Sequence, residues 1–249
     1  MTKLMLAANW KMHLGPEAAR GFLHAYLQRH RSAPDREVWF FPSAVALEAV
    51  AQATRDRRDI RVGAQNVHWE AKGAFTGELS VSMAAEAGAA AALVGHSERR
   101  HVFGETDDEA GRKVRALLTG GLTPMLCVGE RIEERDAGQT LAVVARQLAA
   151  LGGLDAATLG RIVVAYEPVW AIGTGKTATP ADAAEVHAAI RRWFADRGVR
   201  SVRVLYGGSV KPENAAELVA EREIDGLLVG GASLDPASWA AITAVRAPD

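Results

Sequence analysis

The chain of 249 residues, 49% hydrophobic and 24% charged, is long enough to bury the core of one large domain, and no shift in composition divides it. A net charge of -1 argues against a nucleic-acid or membrane surface as partner, and the longest apolar stretch, around Val81 to Val94, is broken by Glu86 and too short for a bilayer span. The N-terminus lacks the apolar block and cleavage site of a signal peptide, and the single cysteine, Cys127, permits no internal disulfide, so a cytoplasmic location is expected.

The first apolar run, Leu4 to Ala8, opens onto Asn9-Trp10-Lys11, and after Gly15-Pro16 the residues Ala19, Phe22, Leu23, Tyr26 and Leu27 recur at helical spacing. The alternation then repeats. Runs at Val38 to Phe41, Arg61 to Gln65, Ala90 to Val94, Thr123 to Val128, Ile162 to Ala165, Val202 to Tyr206 and Gly226 to Val229 each precede a helical segment. Thr106-Asp107-Asp108-Glu109 is a capping box, Pro212 and Pro236 occupy first-turn positions, and Gly88, Gly120 and Gly198 mark helix ends. Eight strand-helix units with no spare strands predict an α/β fold, a single-domain (β/α)8 barrel over residues 1–249, with functional groups where the strands end. One connection is out of proportion: Asn66 to Ser80 is far longer than the usual link of roughly 2 to 6 residues. It carries Trp69, Phe75 and Thr76, and reads as a lid or a partner-binding arm.

The sixth unit carries the densest signal. Ile162 to Ala165 has no polar residue, as in a parallel strand buried on both faces, and Glu167 stands where the strand emerges before Pro168 stops the ladder. Val169, Trp170 and Ile172 would expose much apolar area unless they close over something, while Gly173 and Gly175 permit close approach to a ligand. Thr179-Pro180-Ala181-Asp182 then starts a helix with an N-cap, a proline and an acid, so the segment reads as a lid between rigid anchors. Gly175-Lys176-Thr177 is not a nucleotide P-loop, because Trp170 stands where its first glycine belongs. Gly173 to Ala178 fits G-x-G-x-x-A, but it begins well past the strand and lacks the acid about 20 residues on.

The strand ends collect Asn9, Lys11, Gln65, His96, Cys127, Glu130, Glu167, Gly207-Gly208-Ser209 and Gly230-Gly231: a base, an imidazole, an ammonium and amides. The last two turns, rich in glycine, let backbone N–H groups face an anion. The other histidines show no metal-ligand spacing, neither Ser97 nor Ser209 lies in a G-x-S-x-G turn, and Cys127 in Met125 to Val128 reads as packed.

Together the segments Ala8-Asn9-Trp10-Lys11-Met12, Gly73 to Glu78, Gly95-His96-Ser97-Glu98-Arg99-Arg100, Tyr166 to Lys176, Tyr206 to Val210 and Gly230 to Leu234 resemble the triosephosphate isomerase family, end to end and in its order. His13 is a minor departure, where family members often carry asparagine. The resemblance implies that Glu167 is the base and His96 the electrophile, a pairing for which the family is itself a type case. It further implies that Asn9 and Lys11 bind substrate, that Gly173, Ser209, Gly230 and Gly231 hold its phosphate, and that no cofactor or metal is required. A homodimer is implied too, the Asn66 to Ser80 arm burying Phe75 and Thr76 near the partner's Asn9, Lys11 and His96. Moving a carbonyl between adjacent carbons of a triose phosphate needs a base for a carbon proton and donors for the enediolate oxygen, which these residue types supply. Two alternatives stand beside this reading. A sugar-phosphate-binding sensor barrel would need the phosphate loops but not Glu167, His96 and Lys11 together, and a metal-dependent epimerase would need ligands the sequence lacks.

Overall fold

The computed structural model describes residues 3–172 and 178–246. Among them, the strands β1 (Leu4–Asn9), β2 (Arg36–Phe41), β3 (Ile60–Ala64), β4 (Ala91–Val94), β5 (Thr123–Val128), β6 (Val163–Tyr166), β7 (Arg203–Tyr206) and β8 (Gly226–Val229) pair in parallel and close on themselves, β8 against β1. The helices between them are α1 (Pro16–Arg29), α2 (Leu47–Thr54), α3 (Val81–Glu86), α4 (Ser97–His101), α5 (Asp107–Thr119), α6 (Ile132–Asp136), α7 (Thr140–Leu148), α8 (Ala156–Leu159), α9 (Pro180–Ala195), α10 (Pro212–Ala220) and α11 (Pro236–Thr243). The expected (β/α)8 barrel is therefore the fold.

Alternation along each strand divides the core in two. Met5, Ala7, Trp39, Phe41, Leu93, Met125, Cys127, Val163, Ala165, Leu205 and Leu228 fill the barrel interior, whereas Leu4, Leu6, Ala8, Val38, Phe40, Leu126, Val164 and Leu227 face the helices. Phe41 has room inside because Gly63 lacks a side chain: a Cβ there would overlap its ring. Cys127 is packed in this interior, as expected, and burial pushes its thiol well above the ordinary range. Trp10, fully buried, donates its indole N–H to the Ser233 carbonyl at 3.1 Å and so ties the exit of β1 to the turn after β8.

Helix starts follow local chemistry. Thr106 and Glu109 form the capping box of α5, Thr179 and Asp182 that of α9, and Pro180, Pro212 and Pro236 stand at first-turn positions. The long connection ends at Ser80, whose hydroxyl caps α3. Its aromatics gather around His68, which stacks on Trp69 at 4.2 Å and meets Phe75 in a tilted contact at 4.3 Å between ring centroids. Among the described residues no helix is long and apolar enough to cross a membrane.

Candidate active site

A cleft of about 450 Å³ opens at the C-terminal ends of the strands. Asn9, Lys11, His96, Glu167, Ile172, Ser209, Gly230 and Gly231 all line it, so the candidates from five separate units meet in one place. Gly173, the remaining phosphate candidate, and Lys176 fall outside the described residues.

Glu167 follows β6 directly. Its N–H bonds the Val128 carbonyl at 2.7 Å and Val169 N–H bonds the Glu130 carbonyl at 3.1 Å, so β5 and β6 go on pairing past their formal ends. Gly129 lies between these bonds. A Cβ on Gly129 would overlap the Glu167 carbonyl, and one on Gly207 would come within 2.9 Å of Glu167 Cγ. Gly129→Ala is thus expected to cost about 3 kcal/mol of stability and to depress turnover by displacing Glu167. Unfolding in urea and kcat measured together check this, and an alanine variant with unchanged kcat would show that Gly129 does not seat the carboxylate.

The carboxylate itself is buried. Oε2 accepts Ser97 N–H at 2.8 Å and Oε1 lies 3.0 Å from His96 Nε2. Burial alone would raise the Glu167 pKa; the His96 ring, the Ser97 N–H and the Lys11 charge outweigh it and hold the carboxyl below its usual range, ready as a base.

His96 is the N-cap of α4, and its Nδ1 accepts Glu98 N–H at 3.2 Å. An acceptor at Nδ1 leaves the ring proton on Nε2, aimed at Glu167, with the Asn9 amide nitrogen 3.1 Å from the same atom. Burial lowers the imidazole pKa, and the facing Glu167 charge more than offsets it, so the ring titrates above its usual value. The Glu98 N–H, donated to Nδ1, opposes a second proton on the ring. Of the two N–H groups that open α4, that of Glu98 is donated to the imidazole, whereas that of Ser97 serves the carboxylate.

Lys11 adopts a left-handed backbone, φ +50°, a conformation that costs about 1 to 2 kcal/mol for a residue with a side chain. Two neighbours hold it there: Asn9 Oδ1 accepts Lys11 N–H at 3.0 Å, and Gln65 Nε2 donates to the Lys11 and Phe41 carbonyls at 2.8 Å each. Its ammonium pairs with Glu98 Oε1 at 2.6 Å and faces the cleft.

The opposite wall is glycine-rich. Gly208 leaves space that a Cβ would take from the Tyr206 hydroxyl, a Cβ on Gly230 would lie 3.2 Å from Lys11 Cε, and nothing crowds Gly231. Backbone at these turns can approach an anion closely, with the Lys11 ammonium beside Gly230.

Glu130 belongs elsewhere. It is fully buried behind the strand end, accepting the Tyr166 hydroxyl at 3.1 Å and the Trp170 indole N–H at 2.8 Å, with Arg135 over the Trp170 ring at 4.5 Å. Trp170 is accordingly pinned at the base of the expected lid, and Ile172 alone of the lid's described apolar residues lines the cleft. Sequence reasoning missed the Glu98 carboxylate and Lys211, which also lines the cleft; lysine is scarce beside arginine in this chain, a signal that would have found the latter. Among the described residues no group of three or more His, Cys, Asp and Glu is arranged to hold a metal ion.

A parallel barrel with a buried carboxylate, an imidazole and an ammonium sharing one cleft at its strand ends is built as an acid-base barrel enzyme. The family model for triosephosphate isomerase matches residues 4–246. The chain is 49% identical to the triosephosphate isomerase of Symbiobacterium thermophilum over 98% of this chain and 96% of that one. It is 48% identical to that of Moorella thermoacetica over 97% and 98%, and 46% identical to that of Aquifex aeolicus over 96% and 97%. The chain belongs to the triosephosphate isomerase family.

Proposed function

We infer that this protein interconverts dihydroxyacetone phosphate and D-glyceraldehyde 3-phosphate through an enediolate, residues 1–249 forming one catalytic domain. The observation that carries the reading is the buried Glu167 carboxylate 3.0 Å from His96 Nε2 in a cleft shared with Lys11. A carbonyl oxygen entering between the two takes over the Nε2–H, and Glu167 is released toward carbon. Glu167 then removes the proton from C1 of dihydroxyacetone phosphate and returns it to C2, while His96 moves a proton between the two oxygens. Lys11 and Asn9 stabilise the negative oxygen, and Ser209, Gly230, Gly231 and Gly173 take the phosphate. Nothing in these steps calls on a cofactor.

The test is a coupled assay of both triose phosphates with the purified protein, with and without chelator. Turnover in both directions, insensitive to chelator, is the expected result. Phosphate binding without turnover would make this a sensor barrel, and chelator-sensitive epimerisation would make it a metal-dependent enzyme.

A homodimer in the cytoplasm completes the reading. Met12, Val45, Phe75, Met83, Val102 and Phe103 expose between 43% and 95% of their surface, much apolar area for a free monomer. The Asn66 to Ser80 arm supplies Phe75, and docking it on a second copy would bury these groups beside the partner's cleft. Shortening the arm is expected to yield a weakly active monomer in sedimentation. A wild-type monomer with full activity at the same concentration would refute the dimer.

A further inference from the structure

Strands β4 and β5 pair only as far as Val94 opposite Leu126. There they part: the chain after β4 turns through Gly95 into His96 and α4, whereas β5 stays with β6. This parting carries His96 into the cleft. It also deprives the facing edges of sheet partners, and buried backbone groups are seldom left without one.

In this wedge side chains replace the missing ladder. Glu105 Oε1 accepts Gly95 N–H at 2.8 Å; Arg100 donates through Nε to the Gly95 carbonyl at 2.7 Å and through Nη2 to the Cys127 carbonyl at 3.2 Å. Gln147 does the same service on the other bank, accepting Gly129 N–H at 2.8 Å and donating to the Gly129 carbonyl at 3.1 Å. The Glu105 and Arg100 side chains are only 2% and 7% exposed. They are themselves fixed, Glu105 by Lys113 at 2.7 Å and Arg99 at 3.0 Å, Arg100 by Asp107 at 2.6 Å.

Gly95 is where the chain changes direction. Its φ of +65° needs glycine, and a Cβ there would meet Arg100 Nη2 at 2.6 Å. With no ladder to fix it, its orientation is set by the two side chains gripping its N–H and its carbonyl, and the next residue is His96.

We propose that Arg100 and Glu105 are positioning residues for the His96 imidazole: by holding both polar groups of Gly95 they set the direction in which the chain leaves β4, and so where Nε2 meets the substrate oxygen. The proposal rests on the isomerase reading above. Neither residue lines the cleft, and the glycine turns assigned to phosphate follow β7 and β8, so the effect falls on chemistry and spares phosphate binding. A displacement of about 1 Å at a reacting group can cost roughly 10²-fold in rate.

Arg100→Lys keeps the charge but cannot span both carbonyls. In the full-length protein it is expected to lower kcat by about 10- to 100-fold, to leave the inhibition constant of inorganic phosphate within about twofold, and to shift the His96 Nε2–H resonance of histidine-labelled protein. Melting and sedimentation should match wild type. Glu105→Gln, which keeps an acceptor for Gly95 N–H but loses its hold on Lys113 and Arg99, should show the same split at smaller size. A folded Arg100→Lys variant with kcat within twofold of wild type overturns the proposal, as does a parallel loss of kcat and phosphate affinity. If neither variant folds, the pair serves the barrel rather than the imidazole, and the proposal is equally wrong. Wild-type turnover is measured alongside. Its absence would sink the isomerase reading, whereas an unmoved Nε2–H resonance in the variants would sink the clamp by itself.

Discussion

Glu167→Gln is expected to slow turnover by about 10²- to 10⁴-fold, the range over which a positioned general base works. The glutamine keeps the volume of a side chain that is 2% exposed and still offers an oxygen to Ser97 N–H. It has no basic lone pair for a carbon acid. The fold should persist at some cost in stability, because His96, the Ser97 N–H and Lys11 together favour the buried charge that the amide lacks. Phosphate should bind as in wild type, since the glycine turns and Lys11 are untouched. A purified variant with near-wild-type kcat would move the base to another residue.

The second large effect is expected at Lys11. Lys11→Met should raise KM and the inhibition constant of phosphate and also lower kcat, because an ammonium beside a dianion acts in ground and transition states alike. A loss in kcat alone of roughly 10²- to 10³-fold matches the removal of one preorganised group at a developing oxyanion. The fold should persist. The strained backbone at φ +50° is held by Asn9 and Gln65, which the substitution leaves in place, and the abandoned Glu98 carboxylate is 46% exposed and can hydrate. Steady-state kinetics with a phosphate inhibitor check this, and normal binding with normal turnover would mean that neutralisation of the phosphate does not depend on Lys11.

The barrel was legible because parallel strands buried on both faces leave apolar runs that local polarity cannot hide, and because caps such as Thr106 and Thr179 are chemistry within four residues. The β6 run shifted by one, from Ile162–Ala165 to Val163–Tyr166, since Tyr166 is fully buried despite its hydroxyl, which Glu130 takes up. Membership of the cleft could be read from strand ends alone. What each side chain does on arrival could not, for it depends on partners far away in sequence. Glu98 pairs with a lysine 87 positions distant, Gln65 reaches back 54 positions to hold Lys11, and Gln147 clamps a glycine 18 positions earlier. Glu130 shows the limit most clearly: at a strand end like Glu167, it turns behind the barrel rim to Trp170 and Tyr166 instead of into the cleft. No local pattern separates the two acids.

Carrying out the isomerisation in D2O tests most directly whether the reaction runs by proton transfer through Glu167. An enediolate route exposes the abstracted hydrogen on the carboxyl group to exchange with solvent before it returns to carbon. Starting from protonated dihydroxyacetone phosphate, the D-glyceraldehyde 3-phosphate formed by wild-type protein is therefore expected to carry deuterium at C2 by NMR, at a rate that falls with kcat in Glu167→Gln. Product formed at full rate with no deuterium at C2 would mean an internal hydride shift and would contradict the account.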